Sequence, residues 1–531
     1  MVLMKNMFAL KQIDSFGKVP PGLLELTIIS SGSYRECTQV EAPYNTHYCY
    51  ARALMENQTD NPVAELGVKV AVCMPTSCSE EDIPLMLGSI DFRGLATLNF
   101  VDAKCVPTKV VPTTAFWIFM SFMAFFVAWA IAATAFDYVS NAYFNGKVIK
   151  NKVAGVYQIY LYDLGGLRPH FARKHLRRLT PPMMLFIGFY IVILPFTDGP
   201  YSAALTDYLG TIEENVKRCQ DNWWRNLLYV NNFYLEEDAK ACYNILWYLA
   251  LDTQFYFVAP IFLVSLYLYP IIGFVLLTLC CIGSIAYVYA VTYSYDLPAT
   301  IIGFFSTFSG KIDVFFSEYY EKPWARCTPY FIGLVVGYIL VKLRGRRPRL
   351  NKLIILVIWV LATAVGFACV YSPYRYIKGD HNWSQFTRAT YNNFSRIGWS
   401  IAVSWVIVAN HLGWGGPIAT FMEHPLWQPL GRLSYCAYIV HSFVIHYVFN
   451  LDDRPAHYVS IWQTYIYRVI PVVVLSYFFA FVWSCLFEVS SIKLEKLLIG
   501  GLVPNRKPRS IKPQSNGEDK LAKEENGDLK L

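Results

Sequence analysis

Nine stretches of this chain are apolar over enough residues to demand a bilayer or a deeply buried core. They are Thr114–Phe136, Pro181–Phe196, Tyr243–Tyr267, Ile271–Val291, Tyr330–Val341, Leu353–Val370, Ile397–Ala409, Leu433–Phe449 and Ile470–Val489. An apolar segment of about 20 residues crosses the hydrocarbon core as a helix, because only a helix satisfies every backbone polar group within the segment. Composition supports this: 16% of the 531 residues are charged and 55% are hydrophobic, against about 25% charged in soluble domains. The expected fold class is mainly α, a polytopic transmembrane helix bundle of nine spans.

Basic residues set the expected orientation. Arg168, Arg173, Lys174, Arg177 and Arg178 crowd directly before the second apolar stretch, and Lys147, Lys150 and Lys152 precede them. Cytosolic loops carry the excess of Lys and Arg, so this side is read as cytosol. The basic loop Lys342–Lys352 falls on the same side, and the net charge of +8 follows from topology rather than from nucleic-acid binding. The collar admits two readings. It obeys the topological bias and meets lipid headgroups, or it offers cationic donors to the phosphates of a cytosolic ligand.

This frame divides the chain into a luminal or extracellular domain (1–113), a first span (114–136), a cytosolic basic loop (137–180), a transmembrane domain (181–490) and a disordered cytosolic tail (491–531). The expected location is the endoplasmic reticulum or plasma membrane. Cys37, Cys49, Cys73, Cys78 and Cys105 lie before the first span, and Cys219 and Cys242 share one polar loop. Cysteines in polar extramembrane segments point to disulfides in an oxidising lumen. Five is odd, so one of the first group stays free or pairs outside it. Zinc is disfavoured, because the Cys73–Cys78 spacing is wide and His47 is the nearby histidine; no metal is expected. Asn57, Asn382 and Asn393 open glycosylation sequons, and the last two fall on the luminal side.

Two residues stand out as candidates for chemistry. Asp252 lies in an apolar run, where an ionisable group faces a cavity or a partner; an interfacial, solvated Asp is the alternative. His441 follows Ser434 and Tyr438 at i+7 and i+3 spacing, placing all three on one helix face that is expected to look inward. A neutral His suits general-base work near pH 7; a hydrogen-bonded packing stripe is the alternative.

Several blocks resemble the membrane-bound acyltransferase family 3. Trp247-Tyr-Leu-Ala-Leu-Asp-Thr-Gln-Phe-Tyr256 with Pro260 is similar to its W-S-L-x-x-E-x-Q-F-Y block, with Asp252 where the family has Glu. Arg178-Leu-Thr-Pro181 resembles the end of its basic block, Lys322-Pro-Trp-Ala-Arg326 another, and Leu433 to His441 its late helix. The front, with Gly17-Lys-Val-Pro-Pro-Gly22 and Cys73 to Cys78, resembles the nose-resistant-to-fluoxetine branch of nematodes and insects.

The resemblance implies transfer of an acyl group from cytosolic acyl-CoA, a co-substrate rather than a tightly bound cofactor, to an unidentified hydroxyl acceptor at the luminal or outer face. It assigns Arg173, Lys174, Arg177, Arg178 and Arg326 to acyl-CoA, and Asp252 and His441 to catalysis, with membrane lipids as partners. The chain departs from the family twice. Lys174 and His175 replace Arg, and residues 137–167 lack the two spans that would carry an Arg and a catalytic His. The second departure leaves open a non-catalytic lipid or xenobiotic transport protein, or a regulatory one.

Overall fold

The computed structural model describes residues 7–18, 29–55, 67–89, 98–107, 110–144, 170–205, 210–233, 241–301, 311–343, 348, 350–452 and 460–490. Asn57, the basic run at 147–152 and the tail from 491 lie outside them.

The N-terminal domain is built on a short mixed sheet. Helix α1 (Met7–Asp14) precedes β1 (Ile29–Ser30), α2 (Tyr34–Thr38), β2 (Thr46–Met55), β3 (Val68–Pro75), α3 (Asp82–Gly88) and β4 (Leu98–Cys105). The strand order is β1-β3-β2-β4, with β1 parallel to β3 and the other pairs antiparallel. Strand alternation divides the core in two. Tyr48, Tyr50, Ala71 and Cys73 pack on one face. Cys49, Ala51, Val72 and Met74 pack on the other with Ile83 and Leu87 of α3.

Disulfides close both faces. Cys37–Cys73 ties α2 to β3, and Cys49–Cys105 ties β2 to β4. Cys78 is the free thiol of this domain. His47 lies within 4.8 Å of the Cys49 and Cys105 sulfurs, but the disulfide removes the two thiolates a metal would need.

The first face of the sheet is completed by Ala203 and Ala204 from a later segment, and Lys69 Nζ donates to the Ala204 carbonyl at 2.9 Å. The N-terminal domain is therefore docked on the helical domain.

The helical domain comprises α4 (Thr114–Phe144), α5 (His170–Ile193), α6 (Pro200–Ala204), α7 (Ile212–Leu227), α8 (Trp247–Leu268), α9 (Pro270–Ser294), α10 (Pro323–Lys342), α11 (Lys352–Tyr371), α12 (Gln385–His411), α13 (Gly416–Met422), α14 (Trp427–Asn450) and α15 (Ile461–Glu488). Among the described residues seven helices are long and apolar enough to cross a membrane, or eight if α12 and α13, bent by 90°, form one broken span. The most apolar windows of α4 and α11 bury none of their residues. A helix apolar all round that packs on its neighbours yet buries none of its most apolar window needs lipid as its solvent, so this is a multi-pass membrane protein.

The nine expected spans are corrected in detail. Leu433–Phe449 lies in α14, which packs against α15 but carries Gln428, Arg432, Ser434, His441 and His446 and fails as a lipid-facing span. Tyr330–Val341 is short as an apolar run, yet α10 and the π-helical turn Phe315–Tyr320 together give a candidate span Phe315–Lys342. The basic stretch expected as a loop up to residue 180 is helical from His170. Gly333 and Gly337, spaced four apart on α10, meet nothing where a Cβ would stand; Gly398 does, with Cys369 Sγ 2.9 Å from that position. Gly273 does so too, with the Leu266 backbone nitrogen 2.7 Å from its Cβ position, so the close approaches are between α8 and α9 and between α11 and α12.

The polar stretch after α5 is the largest surprise. It does not stand off as a loop. Thr211 and Ile212 share a cavity wall with Pro195 and Asp198 at the end of α5, while the Tyr229 hydroxyl lies 2.9 Å from that of Thr180 near its start. Helix α7 therefore runs back antiparallel along α5. Its start is a capping box on Thr211 and Glu214, and Cys219–Cys242 fastens it to the chain leading into α8.

Asn393 is also corrected. It is 5% exposed, lies inside α12, and its Nδ2 donates to the Ala389 carbonyl at 3.2 Å. A glycan on that nitrogen has no space. Asn382 is exposed ahead of α12.

Two outcomes test this fold. On expression in a secretory system, Asn393→Gln should leave the glycosylated gel mobility unchanged; a mobility shift would contradict the buried placement. An impermeant maleimide applied without reductant to the isolated membranes should label Cys78 in the N-terminal domain, and Cys78→Ser should remove that label; labelling that persists at Cys37, Cys49, Cys73 or Cys105 would refute the pairing.

Candidate functional site

A cavity of about 550 Å³ opens at one end of the group formed by α8, α10, α11 and α12. Asp252 lies one turn after Tyr248 on α8, so both reach the same wall. Arg326 enters from the first turn of α10, which Pro323 starts with its preset backbone angle. Arg396 enters from α12. Phe255, Tyr330, Val370 and Trp399 supply apolar wall. Asp252 is exposed to this space.

Both guanidiniums are held by aromatic faces. Arg326 lies 4.7 Å from the Trp247 ring and 4.1 Å from the Tyr320 ring, and its Nε donates to the Tyr320 carbonyl. Arg396 lies 4.1 Å from the Tyr319 ring, and its Nη1 donates to the Ala325 carbonyl at 3.2 Å. Cation–π contact fixes the plane of each group and leaves edge donors for a ligand.

The sequence-nominated residues are not gathered in one place. Asp252 and Arg326 share the cavity. His441 is not on its wall. Its ring lies 5.7 Å from Tyr438, whose ring lies 6.0 Å from Tyr248 on the wall. The His441 Nδ1 is 2.6 Å from the Tyr438 carbonyl. A carbonyl only accepts, so Nδ1 is the donor in this contact, which in a neutral ring leaves the lone pair on Nε2. Ser434, expected on the same inward stripe, is exposed and donates to the Gly431 carbonyl.

Arg178 is committed elsewhere. Its Nε and Nη2 reach Glu488 Oε1 at 3.1 and 3.0 Å. Glu488 is 5% exposed on its side chain and also accepts from Ser484 at 2.8 Å and Cys436 at 3.3 Å. This joins α5, α14 and α15 at one end. The side chains of Arg173, Lys174 and Arg177 lie outside the described residues.

Sequence reasoning missed four residues. Arg396 sits in the polar first half of α12, and nothing in its spacing pairs it with Arg326. Glu321 directly precedes the Lys322–Arg326 block and is 1% exposed, with Oε2 unpartnered among the described residues. Gln254, two positions after Asp252, points to another face of α8: its Nε2 donates to Tyr229 O at 2.8 Å and Asn232 Oδ1 at 2.7 Å. Asn232 in turn donates to the Glu321 carbonyl at 3.2 Å.

A second polar group sits where α6 meets α14. Asn450 Nδ2 donates to Ser202 Oγ at 2.7 Å, and His446 Nε2 is 3.4 Å from the same oxygen. Burial raises the Asp198 carboxyl above its ordinary range, although it accepts from the Gly199 amide. These contacts clasp α6, and through it the N-terminal domain, onto α14.

A membrane helix bundle with a charged, aromatic-walled cavity and a disulfide-closed N-terminal domain defines the class. The acyltransferase domain family matches residues 164–489, and the N-terminal domain of the nose resistant-to-fluoxetine protein matches residues 2–87. The chain belongs to the acyltransferase-domain family, in its nose-resistant-to-fluoxetine-like branch. It is 28% identical over 342 residues to Nose resistant to fluoxetine protein 6 of Caenorhabditis elegans, covering 62% of this chain and 40% of that protein. It is 25% identical over 299 residues to Regulator of hypoxia-inducible factor 1 of the same species, covering 53% of this chain and 54% of that protein. The chain thus spans about half, or less, of each relative's length. No solved structure matches it.

The Arg178 pair gives a direct test. Arg178→Ala leaves a buried carboxylate short of its cationic partner and should cost about 1–3 kcal/mol, a figure kept low because the Arg178 side chain is 41% exposed. Thermal unfolding in detergent should show the loss, and Arg178→Met with Glu488→Met should recover most of it. Equal melting of Arg178→Ala and wild type would refute the anchoring role.

Proposed function

We propose that this chain is a membrane acyltransferase that moves an acyl group from acyl-CoA to a hydroxyl acceptor. The acyltransferase domain spanning residues 164–489 carries the reading. The tautomer of His441 supports it. The Nε2 lone pair accepts the acceptor's proton as the hydroxyl oxygen attacks the thioester carbonyl. The C–S bond then breaks, and His441 returns the proton to the leaving CoA thiolate. Asp252, on the cavity wall, orients the acceptor hydroxyl. The basic turn carrying Arg173, Lys174 and Arg177, beside the Glu488-paired Arg178, receives the CoA phosphates from the cytosol. In this reading the disulfide-closed front lies in the lumen of the endoplasmic reticulum or outside the cell, and the tail lies in the cytosol.

The separation of His441 from the cavity by Tyr438 and Tyr248 favours a second reading. The chain would then carry lipids or hydrophobic drugs without catalysis, or regulate a membrane process.

Acyl transfer separates the two. Purified full chain given radiolabelled acyl-CoA should release CoA, and His441→Ala should lower turnover by about 10²–10⁴-fold with acyl-CoA binding retained. No turnover by wild type, together with no acyl-CoA binding in calorimetry, would end the enzyme reading and leave the carrier.

A further inference from the structure

We propose that Arg326 and Arg396 form a clamp for the phosphate of an anionic ligand, seated in the cavity between α8, α10 and α12. This goes beyond the acyl-transfer reading and does not rest on it.

Arg178, Arg388 and Arg468 at other helix ends each meet a carboxylate, on Glu488, Asp296 and Asp452. Arg326 and Arg396 form no ion pair among the described residues. Withdrawing a guanidinium from water inside a membrane bundle is costly unless an anion accompanies it. Asp252 is the acidic residue on the same wall. Glu321, buried next to Arg326, is a second carboxyl within Coulombic reach of that guanidinium, and Arg396 forms no ion pair among the described residues, so a phosphodiester bridging the two guanidiniums would meet the cation left without a paired anion.

Geometry agrees with this. Each guanidinium lies over an aromatic ring and donates to one backbone carbonyl. A guanidinium has five N–H donors in one plane, so fork-shaped edges remain to grip oxygens in pairs. A volume of about 550 Å³ lies within the range of about 300–1,000 Å³ that holds a small organic ligand, far more than a bare phosphate fills.

The mouth indicates where such a ligand comes from. Tyr248 and Trp399 on the wall are each 51% exposed, as is Val370. In the bilayer these groups meet acyl chains, so a headgroup can swing in sideways while its tails stay in lipid. The shared chemistry is a phosphate oxyanion; it is carried by a lipid or arrives free.

The experiment uses the purified full chain in phosphatidylcholine nanodiscs, with phosphatidic acid added as the lipid probe and inorganic phosphate as the free one. Retention of labelled phosphatidic acid should saturate. It should weaken about ten- to hundredfold in Arg326→Gln and in Arg396→Gln, the weight of charge-assisted hydrogen bonds. Arg326→Lys and Arg396→Lys should keep most of it, and Asp252→Asn, which removes the opposing charge, should tighten it. Displacement by inorganic phosphate only at far higher concentration supports the clamp with a lipid ligand; displacement at matched concentration supports the clamp with a free anion. Unchanged retention in an Arg326→Gln, Arg396→Gln double variant that melts like wild type would overturn the proposal. So would equal retention of labelled phosphatidylcholine.

Discussion

Asn232 holds the two halves of the helical domain together. Its amide exchanges hydrogen bonds with Gln254 and donates to the backbone of Glu321, while Gln254 also bonds the Tyr229 carbonyl. Asn232 is fully buried. Such a group is tolerable at depth only when its donors and acceptors are matched. The match is made between a non-helical turn, the second turn of α8 and the approach to α10. One side chain thereby registers α7 against the α8–α10 pair and sets where Arg326 enters the cavity that Tyr248 and Asp252 also line.

The same segment shows why helix count alone describes this chain poorly. Helix α7 carries Glu213, Glu214, Lys217, Arg218, Asp221 and Arg225, a composition that reads as solvent-exposed surface. Its one apolar stripe packs on α5 through Ile212, Val216 and Cys219. A polar helix laid back along a spanning helix creates a wet flank inside the bundle's outline. Non-spanning backbone at such depth is tolerated where it is covered by protein or lines water, and here the Cys219–Cys242 bridge keeps it in place.

Legibility followed the range of the interaction. The apolar segments depend on local composition, and the helices α4, α8, α9 and α11 occur where that composition puts them. The odd cysteine was visible by parity, but which thiol stays free depends on strand pairing: Cys49 faces Cys105 in register across β2 and β4, a contact 56 residues apart. Asn393 matched a sequon whose local pattern says nothing of the α9 backbone beside it. The cavity was half legible. Asp252 and Arg326 lie in blocks that attract attention on their own, whereas Arg396 gains meaning only from Tyr319 and Ala325 on a different element.

Charge placement finally distinguishes two arginines that motif matching treats alike. Arg178 and Arg326 both fall in blocks that resemble family signatures. Arg178 is neutralised within the fold, by a carboxylate with three donors around it, so its position is explained without any ligand. Arg326 is stacked between two rings and shares its cavity with a second guanidinium. Aromatic faces stabilise a cation by about 0.5–2 kcal/mol, less than the several kcal/mol that withdrawing the ion from water costs. The shortfall is removed by an oxyanion arriving from outside the chain. A fold that pairs its other arginines directly with Glu488, Asp296 and Asp452 gives Arg326 and Arg396 no ion pair among the described residues, and so leaves their donor edges to a ligand's anion.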